Sequence, residues 1–309
     1  MTSLEELNKN ISVDSTDYND CIDVIEHEYY INGINAQIRM HYIKFDGNGF
    51  PMIKALAKML YTYIIDYCIA TRNRPEPLTT RQSAKLIKQA RDLFRHPEVS
   101  DDSPDKTGEA GELLLFFLME SVLKAPQLVS KMELKTNHKD EVKGSDGIHA
   151  RLNEKTGLVD FFFGESKLYQ DSSSAIADAI KSVDQFHNIE MYQHEFIMVT
   201  KHFKYADEKT RDAITSLFIH GEPGPSVSIN HACLIGYDFK GFKKLSVIGT
   251  SDEINKEFLD VFVKDGERLT KLIQKRFDNF DKKHIKFEVF FLPFPSVVAF
   301  RNAFNAALD

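Results

Sequence analysis

The segment DFFFGESKLY (160–169) ends a run of three phenylalanines on a carboxylate and an amine two residues apart. Side chains alternate faces along an extended strand. Val159, Phe161, Phe163, Glu165 and Lys167 therefore share one face, and Ser166 points away. Glu165 and Lys167 stand about 7 Å apart along such a strand. Apolar bulk on both faces marks an interior strand, where charge is costly unless a partner compensates it. Asp146, in KGSDGIHA, opens the preceding predicted strand near 146–152, and two adjacent strands bring it beside Glu165. Such paired carboxylates are hard ligands suited to Mg2+ (or Mn2+), and the backbone carbonyl of Ser166 adds another oxygen. With Lys167 near the charge that develops, the set has the parts of metal-assisted phosphodiester hydrolysis.

An acid-x-Lys triplet is common by itself. The chain has six, at 133–135, 141–143, 165–167, 207–209, 238–240 and 281–283, and their surroundings select among them. Only 165–167 has both a hydrophobic strand running into it and an acid on a strand before it. Glu133-Leu-Lys135 is the nearest rival, and no earlier strand supplies it with an acid. Upstream, Glu109 and Glu112 lie three apart at the start of a predicted helix, on one face. Acids in a first turn also answer the helix dipole. Glu112 is preferred as a site residue because Gly108-x-x-x-Glu112 stands where the helix leans on the sheet.

These residues are carried by a predicted order of helix (108–123), strands near 127–135, 146–152 and 158–168, a helix AIADAIKSVDQF capped by Ser172–Ser174, and a strand EFIMVTKHF (195–203). A hairpin at 28–45 with a turn at Asn32-Gly33, a helix at 52–70 and a basic helix at 81–96 precede it. A helix near 207–219, a strand at 231–238, a long helix at 252–279, a strand at 285–294 and a closing helix follow it. Alternating helices and strands predict an α/β architecture. The polar loop 100–108 divides the chain into residues 1–100, an α+β region, and 101–309, a nuclease-like domain with a C-terminal α/β extension.

Helix with an acid, strands with Asp146 and Glu165-x-Lys167, helix, strand: over roughly 108–203 this resembles the PD-(D/E)xK nuclease superfamily, the restriction-endonuclease-like fold of a mixed central sheet flanked by helices. Ser145, rather than proline, precedes the aspartate, and Gln185 is placed on the following helix where a polar residue often assists. GEAGELLLFFLME, KGSDGIHARL, DFFFGESKLY and FFLPFPSVVAFRNAF together resemble the nuclease subunits of Hachiman-type anti-phage defence, the HamA family, whose domain AbpA phage-resistance proteins share. That resemblance spans about residue 20 to the end. It implies a Mg2+-dependent deoxyribonuclease with DNA as substrate. It also implies a superfamily 2 helicase partner of the HamB type that restrains the nuclease until phage DNA intermediates or damage are sensed.

Charge fits a partnered protein. Residues 1–28 hold eight acids against Lys9, and beyond that leader acids and bases balance at 38 each. Proteins that hold nucleic acid by charge alone are usually basic. The one basic stretch is 72–96, with seven bases and two acids. No apolar run approaches the ~20 residues needed to cross a bilayer, and MTSLEELNKN has no signal-peptide pattern. Cys21, Cys68 and Cys233 are dispersed and form no CxxC motif, as expected of a cytoplasmic protein. No HExxH, GxSxG or P-loop pattern is present. Two functions stay open on the residues: a metal-dependent nuclease, and a non-catalytic adaptor that keeps the fold and binds a helicase or DNA.

Overall fold

The computed structural model describes residues 3–25, 29–31, 33–94, 108–135, 144–187, 189–245, 249–278, 280 and 285–309. Two short helices open the chain, α1 (Ser3–Leu7) and α2 (Ser15–Cys21), the second capped by the Asp14 carboxylate on the Thr16 N–H. Strands β1 (Ile22–Val24), β2 (Tyr29–Tyr30) and β3 (Ala36–Ile43) follow, then helices α3 (Ile53–Thr62), α4 (Ile64–Cys68) and α5 (Thr80–Leu93). A capping box of Thr79 and Gln82 starts α5, satisfying two otherwise orphaned backbone donors. Next come α6 (Glu109–Ser121), β4 (Gly147–Leu152), β5 (Val159–Tyr169), α7 (Ser172–Phe186), α8 (Ile189–Lys201) and α9 (Glu208–Thr215). A small ribbon of β6 (Phe218–Ile219) and β7 (Glu222–Pro223) leads into β8 (Val227–Asp238), α10 (Ser251–Phe277), β9 (Lys286–Phe294) and α11 (Val297–Leu308).

The central sheet runs β1–β3–β9–β8–β5–β4, with β2 also paired to β3. β5, β8, β9 and β3 are mutually parallel, and β4 and β1 are antiparallel at the two ends. Helices cover both faces, which is why β8 and β9 are buried almost without alternation. On one face, α6, α3, α4 and α11 pack on Phe162, Leu168, Leu234 and Phe290. On the other, α7 and α10 pack on Cys233, Ile235, Val289 and Phe291. α6 is buried on nearly every side, as its run LLLFFLM requires. This is the mixed sheet flanked by helices expected of a restriction-endonuclease-like core.

Two predicted strands are not strands. Residues 127–135 contribute only isolated bridges, Gln127 to His149 and Val129 to Phe203, before a 3-10 turn at Lys131–Leu134. Residues 195–203 fall largely within α8, whose buried Phe196 and Val199 sit three apart on a helical face. Short apolar runs carry no decisive period, and here tertiary packing chose the helix. The parallel neighbour of β5 is instead β8. The helix expected at 52–70 is broken at Tyr63. β3, from the first hundred residues, pairs with β9 inside the sheet. Most of the boundary loop, 100–107, and Asn32 of the predicted turn lie outside the described residues. Among the described residues no helix is long and apolar enough to cross a membrane.

Two buried histidines set an acid limit on the fold. His149 donates from Nδ1 to the Ala125 carbonyl (2.7 Å), and its Nε2 is buried with no hydrogen-bond partner among the described residues. Burial holds both His149 and His41 down to about 3, with Arg39 adding to the effect at His41. Unfolded, each takes up its proton near the ordinary value of 6.5. The unfolded chain therefore binds more protons between these values. Stability is complete above the upper value and falls as the pH drops toward the lower one, by up to about tenfold in the folding equilibrium per pH unit for each histidine. Denaturant titrations across that window should show the loss, and His149→Leu should make it less steep.

Candidate active site

β4 and β5 separate at the site. Their ladder runs from Val159 to Gly164, where Gly147 is the last partner, while β5 continues beside β8 to Tyr169. Past Gly164 the edge of β5 has lost its neighbour, and the residue before β4 takes its place. Asp146 donates its N–H to the Gly164 carbonyl (2.8 Å) and accepts the Ser166 N–H on Oδ2 (2.7 Å). A carboxylate thus stands in for a strand. Glu165 and Lys167 project together as alternation requires, with Lys167 Nζ 2.5 Å from Glu165 Oε1. Their side chains are 12% and 21% exposed, enough to reach an incoming molecule. They face the α7 side, beside Cys233 and Ile235 of β8.

Ser166 and Leu168 point the other way, under α6. Gly111 permits that approach. A Cβ there would lie 2.5 Å from Ser166 Oγ and 2.9 Å from Leu168 Cγ. The next residue on the helix, Glu112, accepts a hydrogen bond from the Tyr67 hydroxyl on Oε2 (3.0 Å). Glu109 is held elsewhere, by Lys135 Nζ at 2.5 Å with both side chains buried. Of the two helix acids, Glu112 is the one whose charge bears on Asp146.

Electrostatics describe a site short of positive charge. Burial pushes the Asp146 carboxyl well above the carboxylate range, and the charges of Glu165 and Glu112 push it further. The Ser166 N–H and Lys167 oppose them. Glu112 is raised by burial and then by Glu109, against Lys135 and the Tyr67 hydroxyl. Burial works against the Lys167 ammonium, yet Glu165 beside it and Asp146 outweigh that and hold its pKa above the ordinary lysine value. Cys233 is raised by burial and next by Glu165. Among the described residues Lys167 is the ammonium paired within the site, while Lys135 and Lys131 act on Glu112 from farther off.

The sequence-predicted residues Asp146, Glu165 and Lys167 converge, and Glu112 approaches from the opposite face. The peptide of Ser166 takes part through its N–H, on Asp146. Asp146 and Glu165 are hard oxygen donors in mutual repulsion, a set that fits a divalent cation such as Mg2+. Among the described residues no group of three or more His, Cys, Asp or Glu side chains is arranged to hold a metal, so the peptide oxygen of Ser166 and water would complete the shell. Gln185 is exposed on α7.

The rival triplets are structural. Glu133 accepts from Asn73 (2.8 Å) and from the Ala70 N–H (3.3 Å), while Lys135 holds Glu109. Asp207 caps α9, and Asp238 accepts the first N–H of α11 (2.7 Å). The triplets at 141–143 and 281–283 fall on residues outside the described set. Within the basic stretch, Arg72 and Arg74 are spent on backbone carbonyls, and Arg74 also on Asp66. Arg81, Lys85 and Lys88 remain exposed on α5. Sequence reasoning missed Tyr67, Lys131 and Glu195, all of which bear on the site's acids or their backbone; no local spacing links them to it.

Gly111→Ala tests the helix contact. At an open helix position the change gains up to about 1 kcal/mol. Here the added methyl meets Leu168, so a loss of about 1–3 kcal/mol is expected by denaturant titration, and a gain would contradict the close approach.

Compared with known families, the chain matches the HamA family model over residues 16–308, nearly its whole length. No curated protein matches it. The chain belongs to the HamA family of Hachiman anti-phage defence.

Proposed function

We propose that this HamA-family chain is the nuclease of its defence complex, a Mg2+-dependent deoxyribonuclease restrained and delivered by a partner helicase. The observation that carries this reading is the departure of β4 from β5, which leaves the Asp146 carboxylate on the Ser166 N–H beside the Glu165–Lys167 pair. Family membership supports the defence role.

Asp146, Glu165 and the Ser166 carbonyl would hold the ion. When bound, it supplies Lewis acidity at the phosphate and a lowered pKa for water. The chain's own residues do the rest. Lys167 keeps its proton, because Glu165 and Asp146 favour the ammonium, and so presents fixed positive charge to the non-bridging phosphate oxygens. Glu112, anchored by Tyr67, orients water from the α6 side. A groove at the carboxyl ends of β5 and β8 is lined by the exposed Lys240, Lys244 and Lys264, by Arg268 paired with Asp265, and by Asp171 and Asp238, whose carboxylates accept N–H groups at the starts of α7 and α11. Carboxyl ends of parallel strands are where α/β sheets take ligands, and these lysines suit a phosphate backbone. The formal charge of −7 leaves little long-range attraction for DNA, which gives a DNA-engaging partner its place.

Glu165→Ala with Lys167→Ala should fold as the wild type does and lose DNA cleavage in Mg2+ by at least about a hundredfold, with phage protection lost in parallel. A double variant that still cleaves overturns the site. A wild type that protects without cleaving, and binds no Mn2+ through Asp146, favours the adaptor reading.

The groove has its own test. Lys240→Ala/Lys244→Ala/Lys264→Ala should weaken duplex binding in fluorescence anisotropy. The slope of log affinity against log salt should fall by about 0.9 for each phosphate contact removed.

A further inference from the structure

Ser145 is gripped on both sides by a buried ion pair. Its N–H donates to Glu195 Oε1 (2.7 Å), and its carbonyl accepts from Lys131 Nζ (2.7 Å). Lys131 Nζ lies 2.9 Å from the same Glu195 oxygen, closing a ring of three contacts. Lys131 comes from the 3-10 turn and Glu195 from α8, and neither touches the Glu165–Lys167 pair in the hydrogen-bond network. Glu195 is fully buried, and its Oε2 has no hydrogen-bond partner among the described residues. A buried ion pair is often no more stable than apolar side chains of the same volume, and an unpaired buried oxygen adds further cost. Stability alone does not explain it.

Its position does. The peptide joining Ser145 to Asp146 is planar, so the groups on its two ends fix one another. Lys131 holds the carbonyl end, and the Gly164 carbonyl holds the Asp146 N–H end (2.8 Å). With that plane fixed, the Asp146 side chain has a short arc to sweep, and it ends on the Ser166 N–H. Gly144 has φ +110°, and a Cβ there would stand 1.8 Å from Glu195 Oε1 and 3.0 Å from Lys131 Nζ. The backbone before Asp146 is thus shaped to let the carboxylate close over it.

We infer that Lys131 and Glu195 are positioning residues for Asp146: a buried clamp on the two peptides flanking Ser145 that sets the carboxylate where a divalent ion and the scissile phosphate meet. This rests on the nuclease reading of the site and names what aligns it.

The test uses the full chain. Lys131→Met/Glu195→Leu replaces the clamp with apolar side chains of similar bulk and so keeps the packing. Glu195→Gln retains an acceptor for the Ser145 N–H. Amide exchange at Ser145 and Ser166 should quicken in the double variant and stay near wild type in Glu195→Gln. Mn2+ affinity by calorimetry should fall by about tenfold or more in the double variant and recover to within about threefold in Glu195→Gln. In Mg2+, kcat should fall with KM for DNA unchanged. Gly144→Ala, which forces the clamp open from the backbone side, should reproduce the double variant's faster exchange. A folded double variant with wild-type exchange at Ser166 and wild-type Mn2+ affinity overturns the clamp. Asp146→Asn separates the two ideas. If it leaves Mn2+ binding unchanged, the metal reading fails, while exchange at Ser166 still decides whether the clamp positions Asp146.

Discussion

A backbone N–H at a sheet edge needs an acceptor, and the site is built on how Ser166 finds one. Once β4 has left β5, the ladder would supply nothing there, and an aspartate carboxylate supplies it instead. That hydrogen bond draws negative charge onto the end of a hydrophobic strand. The neighbouring features answer that charge. Lys167 pairs with Glu165 on one face, Tyr67 binds Glu112 on the other, and Lys135 takes Glu109 out of the site. α6 lies close enough to matter because Gly111 offers no side chain to Ser166.

Charge buried away from the site is satisfied with equal care, and the contrast is instructive. Glu120, at the far end of α6, accepts backbone N–H groups from Ser12, Val13 and Gln127. Lys204 is fully buried against Gln127 and over the Phe116 ring, and burial lowers it to about 8. These groups tie the N-terminal segment and the loop after α8 to the core. Each has the partners it needs, so they hold structure together. Among the described residues Asp146, Glu165 and Glu112 have one ion-paired ammonium, Lys167 on Glu165, and carboxylates raised by one another's charge set the candidate site apart.

Much of this was legible in the sequence because it is local. Period-two alternation through 158–168 put Glu165 and Lys167 on one face, and the strand opening at Asp146 gave them a neighbour. The long apolar helix at 108–123 had to be interior. What was not legible depends on chain segments far apart. EFIMVTKHF reads as a strand by composition and becomes helix because Phe196 and Val199 pack with Phe163 and Phe186 in one cluster. The pairing of β5 with β8 passes over three intervening helices. Lys131 and Glu195 carry no motif, since a grip on the peptides either side of Ser145 is a property of the folded chain and leaves no spacing to read.

The sheet also has an order of completion written into it. β9, the penultimate element, lies between β8 and β3, and Ala36 of β3 meets Phe287 of β9. The N-terminal strands therefore have no place to dock until the last strand has been made, and that long-range closure is entropically slow. During synthesis the segment bearing Asp146, Glu165 and Lys167 leaves the ribosome well before the sheet that supports it can close. A ribosome-bound chain then holds α6, β4, β5 and the residues of the site before β9 joins the two parts of the sheet. The topology thus makes the residues of the site early and closes the sheet around them late.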